Sequence, residues 1–219
     1  SLVAAQVAVG DPRPLRAGQL RLGVAEQEHD IAVMIEPHRD PLRDVLEEHA
    51  LDRIARRGRQ VDLRRTIRAS LPTLVYLLEQ GASVILASHL GRPKGKVNDA
   101  LRLKPVADRL GQLLGRPVRM TGDALGPGVQ VALDKLRAGD LLLLENLRFH
   151  PEEEKNDGSF AAELAKLCDV YVNDAFGAAH RAHASTEAVA HLLPSAAGRL
   201  LEREVKTLNG ILEDPKRPM

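Results

Sequence analysis

From Leu71 onward the chain alternates two hydrophobic periods. Leu71, Leu74, Val75, Leu77 and Leu78 recur at helical spacing until Gly81, and Ser83 to Ser88 then reads as a short apolar run buried on both faces of a sheet. The same step recurs three times. A helix through Val106, Leu110 and Leu114 precedes a strand at Pro117 to Met120; one through Val131 and Leu136 precedes Leu141 to Glu145; one through Phe160, Leu164 and Leu167 precedes Val170 to Asn173. Strands alternating with helices predict an α/β fold: a three-layer parallel sheet with helices on both faces, one Rossmann-like lobe. Right-handed crossovers make the four strands parallel, so the loops after them open along one edge of the sheet.

Before Leu71 the pattern blurs. Residues 1–70 hold twelve arginines but no lysine and no Phe, Tyr or Trp, whereas the rest of the chain uses both basic residues freely. Shifted-frame translation of GC-rich DNA would give that composition, and so would an unrelated fused segment. Asp40 to Arg57 nevertheless places Leu42, Val45, Leu46, Leu51 and Ile54 on one helical face. The chain therefore divides into an atypical Arg-rich segment over 1–66, frame-shifted or partly disordered, an α/β domain over 67–198, and a helix with a linker stub over 199–219.

Composition narrows the function classes. The 219 residues are 44% hydrophobic and 28% charged, enough for one large domain or two small ones. With a formal charge of +1 and acidic residues interleaved among the basic ones, nucleic acid and membrane are not expected as partners. An arginine-rich nucleic-acid arm in the first segment is disfavoured further by Asp40, Asp44, Glu47 and Glu48 and by the lack of an aromatic residue to stack bases. The longest uninterrupted apolar runs, such as Leu141 to Leu144, are far too short to span a bilayer, and no basic-then-apolar leader opens the chain. The expected location is cytoplasmic. Cys168 is the single cysteine, so it forms no internal disulfide, and its place in a helical apolar pattern marks it as buried filler.

The chemistry lies in the loops at the strand ends. After Ser83 to Ser88 come His89, Gly91, Arg92, Lys94 and Lys96; after Leu141 to Glu145 come Asn146, Arg148 and His150; after Val170 to Asn173 come Asp174, His180, Arg181 and His183. Ligands of open parallel sheets bind beyond the carboxyl ends of the strands, so these cations can converge although far apart in sequence. Guanidinium forks hold phosphate and carboxylate oxygens in pairs, which points to a small polyanion site. Gly91 and Gly95 serve either a close backbone approach to the ligand or a plain turn. Neither G-x-x-x-x-G-K-[ST] nor G-x-G-x-x-G occurs, so nothing marks a nucleotide cradle. His180 and His183 stand three apart without a third metal ligand at recognisable spacing, and Ser185 has no base that would order a nucleophilic triad.

Three of these stretches resemble the phosphoglycerate kinase family: Ser88-His89-Leu90-Gly91-Arg92-Pro93, Leu144-Glu145-Asn146-Leu147-Arg148-Phe149, and Val172-Asn173-Asp174-Ala175-Phe176-Gly177 running on through Ala179-His180-Arg181-Ala182-His183-Ala184-Ser185. The resemblance runs from about Ile67 to Pro218 and takes in the Ala196-Ala197-Gly198 turn and the helix after it. It implies the N-terminal, phosphoglycerate-binding lobe of a two-lobed glycolytic phosphotransferase, moving a phosphoryl group between 1,3-bisphosphoglycerate and Mg-ADP to give 3-phosphoglycerate and Mg-ATP. By motif position, Arg92, Arg148 and Arg181 would hold the non-transferring phosphate and His89 the carboxyl end, with His180 beside them.

The resemblance fails in three places. The family's opening Val-Asp-Phe-Asn strand has only a faint echo in Val61-Asp62-Leu63, and no role passes to Asp62. The arginine that precedes Ile67 in the family is Thr66 here; Arg65, one step earlier, is turned by about 100° on a helix. The nucleotide lobe would lie beyond Met219, leaving Mg-ADP and Mg-ATP no home in this chain. The expected activity of the chain alone is therefore little or none, and the alternative is a non-catalytic anion-binding domain or a degenerate gene product. The family is usually monomeric, but a missing first strand would leave an exposed sheet edge prone to association.

Overall fold

The computed structural model describes the backbone of residues 2–8 and 63–213 and the side chains of residues 67–212, all within one compact unit. The helix expected over Asp40 to Arg57 lies outside the described residues, as does the side chain of Arg65.

The chain runs β1 (Leu2–Ala8), α1 (Leu63–Glu79), β2 (Ser83–Ser88), α2 (Lys104–Leu114), β3 (Arg119–Met120), α3 (Pro127–Leu133), β4 (Leu141–Leu143), α4 (Pro151–Glu154), α5 (Gly158–Ala165), β5 (Val170–Asn173), β6 (Ser195–Ala197) and α6 (Arg199–Glu213). Short 3-10 turns sit at Asp99–Leu101, Leu147–Phe149 and Ala188–His191. The strands form one sheet in the order β3-β4-β2-β1-β5-β6.

Side-chain alternation on the strands separates two cores. Val84 and Leu86 of β2, Leu141 and Leu143 of β4 and Val172 of β5 face a layer made by Ile67, Leu71, Leu74 and Leu78 of α1 and Val106, Leu110 and Leu113 of α2. Ile85, Ala87, Leu144 and Tyr171 face the opposite layer, where Val129 of α3 and Phe160, Ala161 and Leu164 of α5 pack. A strand covered on both sides has no polar face, which is why β2 and β4 read as continuous apolar runs rather than alternating ones. Each fully buried leucine contributes about 2 kcal/mol to this sandwich. Cys168 is buried in the second core, and burial pushes its thiol up to about 12, which makes it inert packing.

The expected α/β sandwich is present, with three corrections. The slot expected to be empty is filled: β1 lies between β2 and β5, pairing antiparallel with both, from Leu2 opposite Ser88 to Ala8 opposite Ser83 and from Ala5 opposite Val172 to Val7 opposite Val170. No open edge therefore divides the sheet at that point. The run Leu2-Val3-Ala4-Ala5-Gln6-Val7-Ala8 is apolar at all but one position, as a central strand requires, but the arginine-rich stretch behind it hides that signal. Secondly, Ser195–Ala197 is a strand parallel to β5 rather than a turn. Thirdly, several elements are shorter than expected: α3 ends at Leu133, short of Leu136, α5 at Ala165, short of Leu167, β3 begins at Arg119 rather than Pro117, and β4 ends at Leu143 rather than Glu145. β2, β4 and β3 run parallel, and β5 shares their direction because β1 opposes both β2 and β5.

Candidate functional site

Strand direction places the loops after β2, β4 and β5 on one edge. The first, after β2, turns sharply. Gly91 (φ 67), Lys94 (φ 58) and Gly95 (φ 71) all adopt left-handed backbone conformations within five residues. A Cβ on Gly95 would lie 2.7 Å from Pro151 Cβ and 3.1 Å from its Cα, so close approach as well as φ requires glycine there, whereas one on Gly91 would meet only the flexible tip of Leu101 (2.7 Å from Cδ2), so φ is what favours glycine at that position.

The segment after β4 pins that loop. Glu145, 3% exposed, accepts from the backbone N–H of Leu103 (2.9 Å) and pairs with Arg102 Nη1 (3.1 Å). The wholly buried Asn146 donates its Nδ2 to both Leu90 O and Leu101 O at 2.9 Å and accepts from Arg148 N–H at 3.1 Å. Arg148, itself buried, donates Nη1 to Gly91 O at 3.1 Å, and its carbonyl accepts from Gly95 N–H at 3.2 Å. Three residues, Glu145, Asn146 and Arg148, thus hold the β2 loop and present one guanidinium to it.

Helix α4 holds the third loop. Glu153, 1% exposed, accepts from Ser185 N–H (3.0 Å) and Ser185 Oγ–H (2.6 Å), and its own carbonyl accepts from Ala184 N–H (3.0 Å). Tyr171 on β5 adds a hydroxyl bond to Ser185 O at 2.8 Å, and Thr186 Oγ1 donates to Arg181 O at 2.8 Å. The loop carrying His180, Arg181 and His183 is therefore braced from β5 and from α4. Burial raises the Glu153 carboxyl above its usual range, and the Ser185 bonds oppose that rise.

The cations converge. Arg148 feels Arg181 and Arg92 as like charges, and burial, the larger cause, lowers its pKa against the pull of Glu154. His89, half-buried, is held at about 2 by burial and then by Arg148, with His183 and Arg181 adding to it, so its imidazole is neutral at pH 7. Burial and Arg148 likewise lower His183. On the exposed rim, Arg181 donates its Nε–H to His180 Nε2 at 3.3 Å. Buried Arg148, half-buried Arg181 and exposed Arg92 bring like charge to one edge, where Glu154 is the carboxylate paired with Arg148, and that imbalance favours an anion between them.

His89, Arg92, Arg148 and Arg181 share this edge with His180 and His183. Glu145, Glu153 and Glu154 are residues that a search restricted to cations overlooks; Glu145 is signalled by polarity inside a buried run, whereas Glu153 and Glu154 lie in a mostly exposed acidic stretch and carry no such signal. Among the described residues, no group of three His, Cys, Asp or Glu side chains could hold a metal ion. A cavity of about 1060 Å³ opens elsewhere, beside β3 and α3, with Arg119, Met120, Val131 and Lys135 in its wall and no residue of the cationic cluster.

An open-sheet α/β lobe with a cationic edge beyond its strand ends is the class that fold and site define. The chain belongs to the phosphoglycerate kinase family, whose model matches residues 54–219, from somewhat ahead of Ile67. It is 65% identical over 161 residues to the phosphoglycerate kinase of Moorella thermoacetica, covering 74% of this chain and 41% of that protein. It is 61% identical over 161 residues to that of Thermomicrobium roseum, with the same coverage of 74% and 41%. Among solved structures, phosphoglycerate kinase from Coxiella burnetii is similar with a TM-score of 0.63 and 39% identity, over 74% of this chain and 40% of that one. The chain thus spans about two-fifths of the length of the relatives it matches.

Proposed function

We propose that this chain is the phosphoglycerate-binding half of a phosphoglycerate kinase, gripping 3-phosphoglycerate or 1,3-bisphosphoglycerate at the cationic edge while phosphoryl transfer to or from Mg-nucleotide takes place at the ligand's other end. One observation carries the reading: Arg92, Arg148 and Arg181 stand on the loops after three different strands at one edge of the sheet, Arg148 feels both of the others as like charges, and neutral His89 stands beside it.

The geometry divides the work. Three guanidinium groups suit the dianionic, non-transferring phosphate, which they bind through paired N–H donors. His89, uncharged at neutral pH, would donate a hydrogen bond to the carboxyl end rather than a charge. Phosphoryl transfer demands little covalent participation by protein groups; it demands in-line alignment and neutralised charge, and a firmly held phosphate fixes one end of that line. The cationic edge lacks a glycine-rich phosphate cradle, so its residues do not fit a nucleotide, and Mg-ADP or Mg-ATP is assigned to no residue of this chain. The relatives' names support a kinase of phosphoglycerate, and the absence of a bilayer-length apolar helix among the described residues is compatible with a cytoplasmic glycolytic role.

Calorimetric titration of the chain with 3-phosphoglycerate, repeated on Arg148→Ala, tests the reading. Binding weakened tenfold or more by the substitution is expected, and binding indifferent to it would refute the site. In a coupled assay the chain alone is expected to turn over near background; near-normal turnover would contradict the division of labour.

A further inference from the structure

Resting on that reading of the site, we propose that Glu154 is a resident counter-anion, a carboxylate that sets the strength of binding because an incoming phosphate must displace it from Arg148. The Arg148 side chain is 5% exposed, and its Nε lies 3.4 Å from Glu154 Oε1. This Nε is buried and makes no hydrogen bond, so the carboxylate lends charge without occupying the donor. Adjacent carboxylates thereby take opposite roles. Glu153 is locked by three bonds to Ala184 and Ser185, whereas Glu154 has a 38% exposed side chain at the carboxyl end of the one-turn α4 and is free to swing into water.

Such an arrangement sets a threshold of charge. A monocarboxylate that replaces Glu154 exchanges one single charge for another and gains little. A phosphate dianion neutralises Arg148 together with Arg92 and Arg181, which the short Glu154 side chain does not, so the exchange favours the more highly charged ligand. While the site is empty, the same carboxylate tempers repulsion among the arginines.

The test is calorimetric titration of the full 219-residue chain with 3-phosphoglycerate and, separately, with acetate, for the native protein, Glu154→Gln, Glu154→Ala, Glu152→Gln and Arg148→Ala. Removing the Glu154 carboxylate is expected to tighten 3-phosphoglycerate about two- to ten-fold, the scale of a partly exposed ion pair, and to tighten acetate by no more than that, since both anions displace the same carboxylate. Glu152→Gln removes the same charge two positions earlier and is expected to leave both affinities unchanged. Unchanged or weaker binding in both Glu154 variants overturns the proposal, as does equal tightening by Glu152→Gln, which would show a general field effect. If Arg148→Ala weakens 3-phosphoglycerate while the Glu154 variants match the native protein, only the counter-anion fails. If the native chain does not bind 3-phosphoglycerate, or Arg148→Ala binds it equally well, the reading of the site fails with it.

Discussion

Replacing Asn146 by alanine removes the side chain that ties two points of the segment after β2 to the segment after β4. Its Nδ2 serves the carbonyls of Leu90 and Leu101, and its Oδ1 serves the N–H of Arg148, all inside the protein. Three hydrogen bonds at about 1 kcal/mol each give about 3 kcal/mol, and partial hydration of the freed carbonyls reduces the net loss to about 2–3 kcal/mol. For a chain of this size that corresponds to a fall in Tm of roughly 5–10 °C. Asn146→Asp is nearly isosteric but turns an acceptor toward two carbonyls, so the expected cost exceeds that of alanine by about 1–3 kcal/mol at pH 7. Urea unfolding followed by circular dichroism measures both variants, and 3-phosphoglycerate titration reports whether the unpinned loop still presents Arg92. Asn146→Ala within about 0.5 kcal/mol of native, or Asn146→Asp no worse than Asn146→Ala, would refute the reasoning.

Two other residues make comparably sharp tests. Asp174, buried at the end of β5, accepts from Leu200 N–H at 2.9 Å at the start of α6, and a Cβ on Gly198 would lie 2.3 Å from its Oδ1; Gly198→Ala is therefore expected to cost about 2–4 kcal/mol of stability in urea unfolding, and a near-neutral result would show that this helix start moves freely. His89 is lowered to about 2 from 6.5, so the unfolded chain takes up its proton first; that contribution to stability is complete above about pH 6.5 and is lost as pH falls, by at most roughly 1.4 kcal/mol per pH step, with His183 adding the same sign. The slope between pH 7 and 5 is expected to shallow in His89→Gln, and an unchanged slope would count against the buried, arginine-facing placement of His89.

The sheet's two-sided strands were legible because each carries a run of apolar residues between a helix and a loop; β2 and β5 fall where hydrophobic period alone places them. β1 was not, since its pairing partners lie far along the chain and an arginine-rich segment separates it from them. β6, at Ser195–Ala197, is too short and too small in side chain to announce itself, and depends on its ladder with β5. The cations of the site were legible from their recurrence after strands, because topology alone brings those positions to one edge. Their supports were legible only in position: Glu145 and Asn146 end an apolar run, but the roles of Glu145, Asn146 and Glu153 come from buried partners distant in sequence. The burial that makes His89 neutral is also a tertiary property, so the sequence suggested its position while the fold set its charge state.

The central claim is that three arginines from separate strand ends act on one phosphate. Titration of 3-phosphoglycerate into Arg92→Ala, Arg148→Ala and Arg181→Ala, at low and moderate salt, addresses it most directly. Each substitution is expected to weaken binding tenfold or more and to flatten its salt dependence, with the buried Arg148 having the largest effect. Affinity lost in only one variant, with the other two binding as the native chain does, would contradict a shared site.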